Sequence, residues 1–238
     1  MSNPRVEKNP RPPLSLRQIQ PRRTSMRLKA AVIFLSLVIP LEGIQALTLK
    51  EVVSHLKEAQ TRIQGLKAQL LQERRPPGGA TPVVMDGVIW IRKPDRLRMD
   101  IFPPHESITV LRGDELLIYF PEEKVAQKVR LSKDPTLARW LKFLQAPVEE
   151  IERRGEVEEV IGGKIVIRIE PSDEFDQFKS IRLWIDQKLW LPVKIELEEK
   201  TGEHTVITYS GIEVNPTFPE GIFDLKLPQD VEVTELEG

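Results

Sequence analysis

Between Leu66 and Ser210 the chain is cut by turn residues into short β-rich runs that lie too close together for parallel pairing. The first set of runs falls at 66–74, 83–92, 96–102, 107–112, 115–120 and 124–131. Pro76-Pro77-Gly78-Gly79, Lys93-Pro94-Asp95, Pro103-Pro104, Arg112-Gly113-Asp114 and Pro121-Glu122-Glu123 separate them. Parallel neighbours need a crossover of about a dozen residues or more, so these spacings dictate antiparallel hairpins. A second set follows at 157–161, 164–170, 180–186, 192–199 and 203–210, with Gly162-Gly163 and Thr201-Gly202-Glu203 as hairpin turns. An antiparallel sheet of that many strands must curl.

One amphipathic helix precedes the β pattern and another interrupts it. Thr48-Leu49-Lys50-Glu51 is a capping box, a hydroxyl followed three residues on by a carboxylate. Leu49, Val52, Val53, Leu56, Ile63 and Leu66 then keep a helical period to about Gly65. The second helix opens at Asp134-Pro135, with proline in the first turn where its missing N–H costs nothing. Leu137, Trp140, Leu141 and Leu144 sit at i, i+3, i+4 and i+7, and Pro147 closes the segment. The tail from Gly211 to Val233 is expected to be irregular, with Phe218, Phe223 and Leu225 as anchors. The fold expected is α+β: a strongly curved antiparallel sheet whose concave face the two helices cover, leaving a cavity.

Charge is distributed unevenly. Residues 1–46 hold eight Lys/Arg and two Asp/Glu; subtracted from totals of 35 and 36, this leaves 27 basic and 34 acidic residues in 47–238. An acidic body argues against nucleic acid as a partner, because phosphate neutralisation needs clustered cations. The chain has no cysteine, which excludes disulfides, thiolate metal sites, cysteine nucleophiles and an N-terminal lipidated Cys. Residues 1–25 are Pro- and Arg-rich without hydrophobic period and read as a disordered extension, or as untranslated if Met26 is the start. Residues 26–46 join a charged Met-Arg-Leu-Lys, the apolar run Ala30–Ile39 and a small residue, Ala46, at the cut, the pattern of a cleaved signal peptide. The apolar run is short of the ~20 residues a transmembrane helix needs. Export to the periplasm follows, with 47–238 as a single domain.

Several stretches resemble the periplasmic outer-membrane lipoprotein carrier family (LolA-like). They are Gly87-Val-Ile-Trp-Ile-Arg-Lys-Pro-Asp-Arg-Leu-Arg-Met-Asp-Ile101, Glu106-Ser-Ile-Thr-Val-Leu-Arg-Gly-Asp114 with Leu116-Leu-Ile-Tyr-Phe-Pro121, Leu183-Trp-Ile-Asp-Gln-Lys-Leu-Trp-Leu-Pro-Val-Lys-Ile195, and Ile212-Glu-Val-Asn-Pro216 followed by Gly221-Ile-Phe-Asp-Leu-Lys-Leu-Pro228. The resemblance implies an unclosed β half-barrel lidded by helices. It also implies a chaperone that takes acylated lipoproteins from an inner-membrane exporter to an outer-membrane acceptor. In that pattern an Arg before the Pro of the first hairpin holds the lid by bonding its backbone. Lys93 stands there, with Arg92 before it. Lysine cannot make the same forked set of bonds, which leaves the lid latch open between Lys93 and Arg96 or Arg98.

Strand alternation sets Leu97, Met99 and Ile101 on one side, against Arg96, Arg98 and Asp100 on the other. The apolar set is expected to line the cavity, joined through hairpin pairing by Ile89 and Ile91, with Ile108 and Val110 as further candidates. The lid would present Leu137, Trp140, Leu141 and Leu144. Alternation alone favours an ordinary filled core; the resemblance is what makes this a cavity.

No enzyme is expected. His55, His105 and His204 are scattered without metal-ligand spacing, and no G-x-S-x-G elbow or phosphate loop occurs. Asp173, Glu174 and Asp176 lack the pattern of a calcium hand and read as a solvated turn, and the run 149–154 as a solvated helix face. The function expected is therefore a monomeric lipoprotein carrier without cofactor or metal. The alternatives are a carrier of another lipid and a lipoprotein-sensing envelope regulator on the same scaffold.

Overall fold

The computed structural model describes residues 47–236. The expected extension at 1–25 and signal peptide at 26–46 lie outside them. Helix α1 (Leu49–Arg62) begins where the capping box puts it. The Thr48 hydroxyl accepts from the Glu51 N–H at 3.3 Å, and the Glu51 carboxylate accepts from the Thr48 N–H at 2.8 Å.

Six strands follow: β1 (Gly65–Arg75), β2 (Val83–Arg92), β3 (Arg96–Ile101), β4 (Ser107–Arg112), β5 (Glu115–Phe120) and β6 (Val125–Arg130). Helices α2 (Pro135–Gln145) and α3 (Val148–Arg154) come next. Five more strands are β7 (Gly155–Ile161), β8 (Lys164–Ile169), β9 (Phe178–Asp186), β10 (Leu191–Glu199) and β11 (His204–Val214), and β12 (Glu232–Leu236) ends the described chain. All belong to one sheet in the order β12-β6-β5-β4-β3-β2-β1-β11-β10-β9-β8-β7. β7 and β12 lie at its two edges, so the barrel stays unclosed. Bulges in β11 opposite Ala68, in β10 between Pro192 and Lys194 and in β7 between Val157 and Glu159 add local bend and twist.

The inner face carries two apolar clusters. In one, Val52, Val53 and Leu56 of α1 and Val148 and Ile151 of α3 pack on Ile165, Ile167, Ile181, Leu183, Ile185 and Ile195 of β8–β10. The run 149–154 is thus solvated on one side only. In the other cluster, Ala68, Ile89, Leu97, Leu111, Leu116 and Val129 face Leu137 and Leu141 of α2. The two expected lid helices therefore divide the sheet: α1 fills the β8–β10 half as core, and α2 roofs the β1–β5 half.

The outer face is strapped by the tail. Phe223 is 3% exposed. The Arg92 guanidinium lies 5.7 and 4.9 Å from the Phe218 and Phe223 ring centroids, within cation–π range. Arg98 donates to the Ile222 carbonyl at 3.1 Å, and Arg112 pairs with Asp224 at 3.1 Å. Phe218 passes so close to β1 that a Cβ on Gly65 would meet its ring at 2.7 Å and displace it. The expectation of an irregular tail to Val233 needs correction: the tail ends in β12, which pairs in parallel with β6.

Candidate functional site

A cavity of about 810 Å³ lies between α2 and the inner face of the sheet. That is within the ~300–1,000 Å³ range of ligand pockets. Leu66, Ala68 and Leu70 of β1, Ile89 and Ile91 of β2, Leu97 and Met99 of β3, and Leu116 and Ile118 of β5 form its floor. Leu197, Ile207, Tyr209 and Ile212 of β10 and β11 form one wall, and Leu137, Trp140, Leu141 and Leu144 of α2 form the roof. Strand register brings the floor together: Ile89 faces Met99 and Ile91 faces Leu97 across β2–β3, and Ala68 faces Ile89 across β1–β2. The four roof residues share one side of α2 because three- and four-residue steps keep a helical face.

The lining is graded along β1. Leu66, Ala68 and Leu70 give way on the same face to Gln72 and Arg74. At that end Arg74 forms a two-pronged pair with Glu203 at 2.5 and 2.9 Å, and Glu199 stands nearby. Glu203 lies below the usual carboxylate range because Arg74 hydrogen-bonds its charged form. One end of an apolar trough is thus closed by a polar rim.

The roof is held at both ends. The turn leading into α2 is tied to the β4–β5 hairpin by Asp114, whose carboxylate accepts from the Ser132 N–H at 2.7 Å and the Ser132 hydroxyl at 2.6 Å. These bonds hold Asp114 below the usual carboxylate range. Asp134 caps α2 by accepting from the Leu137 N–H at 2.9 Å. At the other end Phe143, 3% exposed, anchors an aromatic cluster. The Trp140 ring stacks on Phe143 at 5.4 Å and on Phe178 at 5.2 Å, with Phe175 edge-on at 6.0 Å.

Not every expected cavity residue lies here. Ile108 faces Asp100 and Val110 faces Arg98 across β3–β4, so both share the outer face with the charged side of β3. Val110 is buried, at 3% exposure, on the face that the tail straps. The connection at 102–106 pairs Ile101 with Ser107, and that register gives the inner positions to Thr109 and Leu111 instead. Ile101 is on the inner face but belongs to the α1 core cluster, outside the cavity lining. The lining residues of β1, β5, β10 and β11 escape the sequence reading, because no sequence signal fixes which of their faces turns inward.

Lys93 does bond helix backbone, but on α1: its ammonium donates to the Gln60 carbonyl at 2.7 Å. Burial lowers its pKa from the ordinary lysine value. Asn215 completes that clasp. Its side-chain oxygen accepts from the Gln64 N–H at 2.7 Å and the Gly65 N–H at 3.1 Å, and its amide donates to the Arg62 carbonyl at 3.0 Å. Arg96 lies near Asp95, and Arg98 bonds Asp100 and the tail, so neither is seen to bond a helix. Among the described residues no group of three metal-ligating side chains gathers. His55 stacks on Trp190 with ring centroids 4.2 Å apart.

The profile of the family described as "Outer membrane lipoprotein carrier protein LolA" matches residues 61–226. A protein named "Outer-membrane lipoprotein carrier protein" from Alkalilimnicola ehrlichii is 24% identical over 84% of this chain and 90% of its own length. One of the same name from Chromohalobacter salexigens is 22% identical over 68% of this chain and 76% of its own. A crystal structure of an uncharacterized conserved protein from Thermus thermophilus superposes with a TM-score of 0.50 at 10% identity, covering 79% of this chain and 98% of that one.

Proposed function

The chain belongs to the outer membrane lipoprotein carrier (LolA) family, and on that premise we propose that its cavity carries the acyl chains of lipoproteins across the periplasm. Moving acyl chains through water is the physical problem. At ~0.8 kcal/mol per methylene, a chain of ten exposed methylenes costs roughly 8 kcal/mol to hydrate. A carrier needs an apolar container that reacts with nothing.

The observation that supports this reading most is the cavity under α2, apolar on floor and roof and polar at one end. A filled core would have left no such volume in an interior packed as densely as proteins are. The protein acts as a monomer without cofactor and catalyses no reaction. It is exported by the segment at 26–46. It receives acylated cargo from an inner-membrane exporter and gives it to an outer-membrane acceptor. Release is built in if the acceptor holds the chains more tightly, since transfer follows the difference in affinity.

The test is to add the purified protein to spheroplasts that hold a mature acylated lipoprotein. The expected result is a soluble one-to-one complex of protein and lipoprotein. If none forms but native mass spectrometry finds bound free lipid, the cargo is a lipid and the lipoprotein reading falls. If neither is found, the carrier reading falls altogether.

A further inference from the structure

Tyr209 introduces a hydroxyl into an otherwise apolar part of the cavity. It lies on β11 opposite Leu70 of β1 and packs against both apolar clusters, where they meet. Its remaining exposure is toward the cavity it lines. Tyr209 is half-buried, and among the described residues no protein group is found hydrogen-bonding its hydroxyl, which leaves that hydroxyl open to a guest in the cavity. Burial pushes the phenol up to about 12, so it is a neutral donor at any physiological pH.

Tyr209 stands between an apolar arm of the lining and its polar rim, with Ile207 the next inward residue of β11 toward that rim. To one side an apolar arm crosses from β1 to β5 over Ile89, Leu97, Leu116 and Ile118. Four strand spacings make that arm roughly 19 Å long. To the other side, four residues and roughly 13 Å along β1 from Leu70, lies the rim of Gln72, Arg74 and Glu203. An acylated amphiphile has the same order: hydrocarbon, then a carbonyl, then a polar head.

We propose that Tyr209 donates a hydrogen bond to the ester or amide carbonyl of a bound acyl chain. It thereby sets the depth of the chain and makes the cavity select carbonyl-linked chains over plain alkyl chains. This inference rests on the carrier reading and deepens it. A site that offers a hydrogen bond disfavours the analogue that cannot accept it, because the polar group is then left unpaired. The hydrocarbon runs into the β2–β5 arm and the head points to the Arg74 rim.

The experiment compares monopalmitoylglycerol with its ether counterpart, hexadecylglycerol, which keeps head and chain but lacks the carbonyl. Affinities are measured by calorimetry below the micelle concentration, on the wild type and on Tyr209→Phe. The wild type should prefer the ester by roughly twofold to tenfold, the worth of one neutral hydrogen bond, and the variant should show no preference. The melting temperature of the cargo-free variant should equal or exceed that of the wild type, because no internal bond is lost. A wild type without preference, a variant that keeps it, an equal loss of both probes or a drop in melting temperature overturns the assignment to Tyr209 and leaves the carrier reading standing. Failure of the wild type to bind either probe overturns both.

Discussion

Lys93 donates through Nζ to the main-chain carbonyl of Gln60 at 2.7 Å, joining the β2–β3 hairpin to the last turn of α1. The final carbonyls of a helix have no partner within it, and a cation there satisfies one and complements the helix dipole. The clasp therefore fixes the core helix, not the roof. Lys93→Met should lower stability by about 1.5–3 kcal/mol, the range of a hydrogen bond to a charged donor. At this chain length that is a fall of roughly 3–12 °C in Tm, read from a thermal melt. Because α1 does not line the cavity, affinity for an acyl probe should be unchanged.

The two faces of the β3–β4 hairpin give a matched pair of variants. Met99 lines the cavity and Ile108 lies on the outer face, although both belong to apolar alternations. Met99→Glu places a charge among hydrocarbon groups and should reduce acyl-probe binding at least tenfold, since an unpaired buried charge costs several kcal/mol. Ile108→Glu should leave binding intact. Leu97→Glu should also block uptake, with some cost in stability because Leu97 is 6% exposed. Calorimetric titration of each variant with one acyl probe decides the matter.

Phe143 points away from the cavity and holds α2 to β9 through Trp140 and Phe178. Phe143→Ala should cost ~3–5 kcal/mol, as large aromatic truncations in cores do. Chemical denaturation measures the loss. Emission from Trp140, in a chain whose other tryptophans are replaced, should shift to the red as the roof loosens.

The tether between Asp114 and Ser132 should weaken in acid. Its hydrogen bonds hold the Asp114 pKa below the ordinary 3.8, so the folded state favours the carboxylate. That contribution is present above pH 3.8 and is lost as pH falls through the lower folded value. A titration of Trp140 emission should therefore show the roof loosening only below about pH 4. Asp114→Ala should show the loosened signal already at neutral pH.

Much of this architecture is legible in the sequence because its signals are local. Prolines, glycines and charged pairs cut the chain where the strands end, and the capping box at Thr48 and the Asp134-Pro135 start fix two helices. Phe223 reads as an anchor, and it is one. Register is not local. Whether Ile108 or Thr109 turns inward depends on how many residues the turn after Ile101 uses, and alternation is blind to that. β12 escapes notice because Glu232–Leu236 has no buried face and its partner β6 is far away in sequence. The cavity itself is the least legible feature, since the same apolar stripes fill a core in one half of the sheet and line a void in the other.

The most direct test is where an acyl chain sits. A palmitoyl probe with a photoactivatable diazirine in its chain can be cross-linked to the protein and the modified peptides identified by mass spectrometry. Labelling should fall on α2 and on β1, β2, β3 and β5, around Leu137, Leu141, Ile89 and Ile118. Labelling confined to the outer face or the tail between Asn215 and Val231, or none above the level seen with Met99→Glu, would contradict the account.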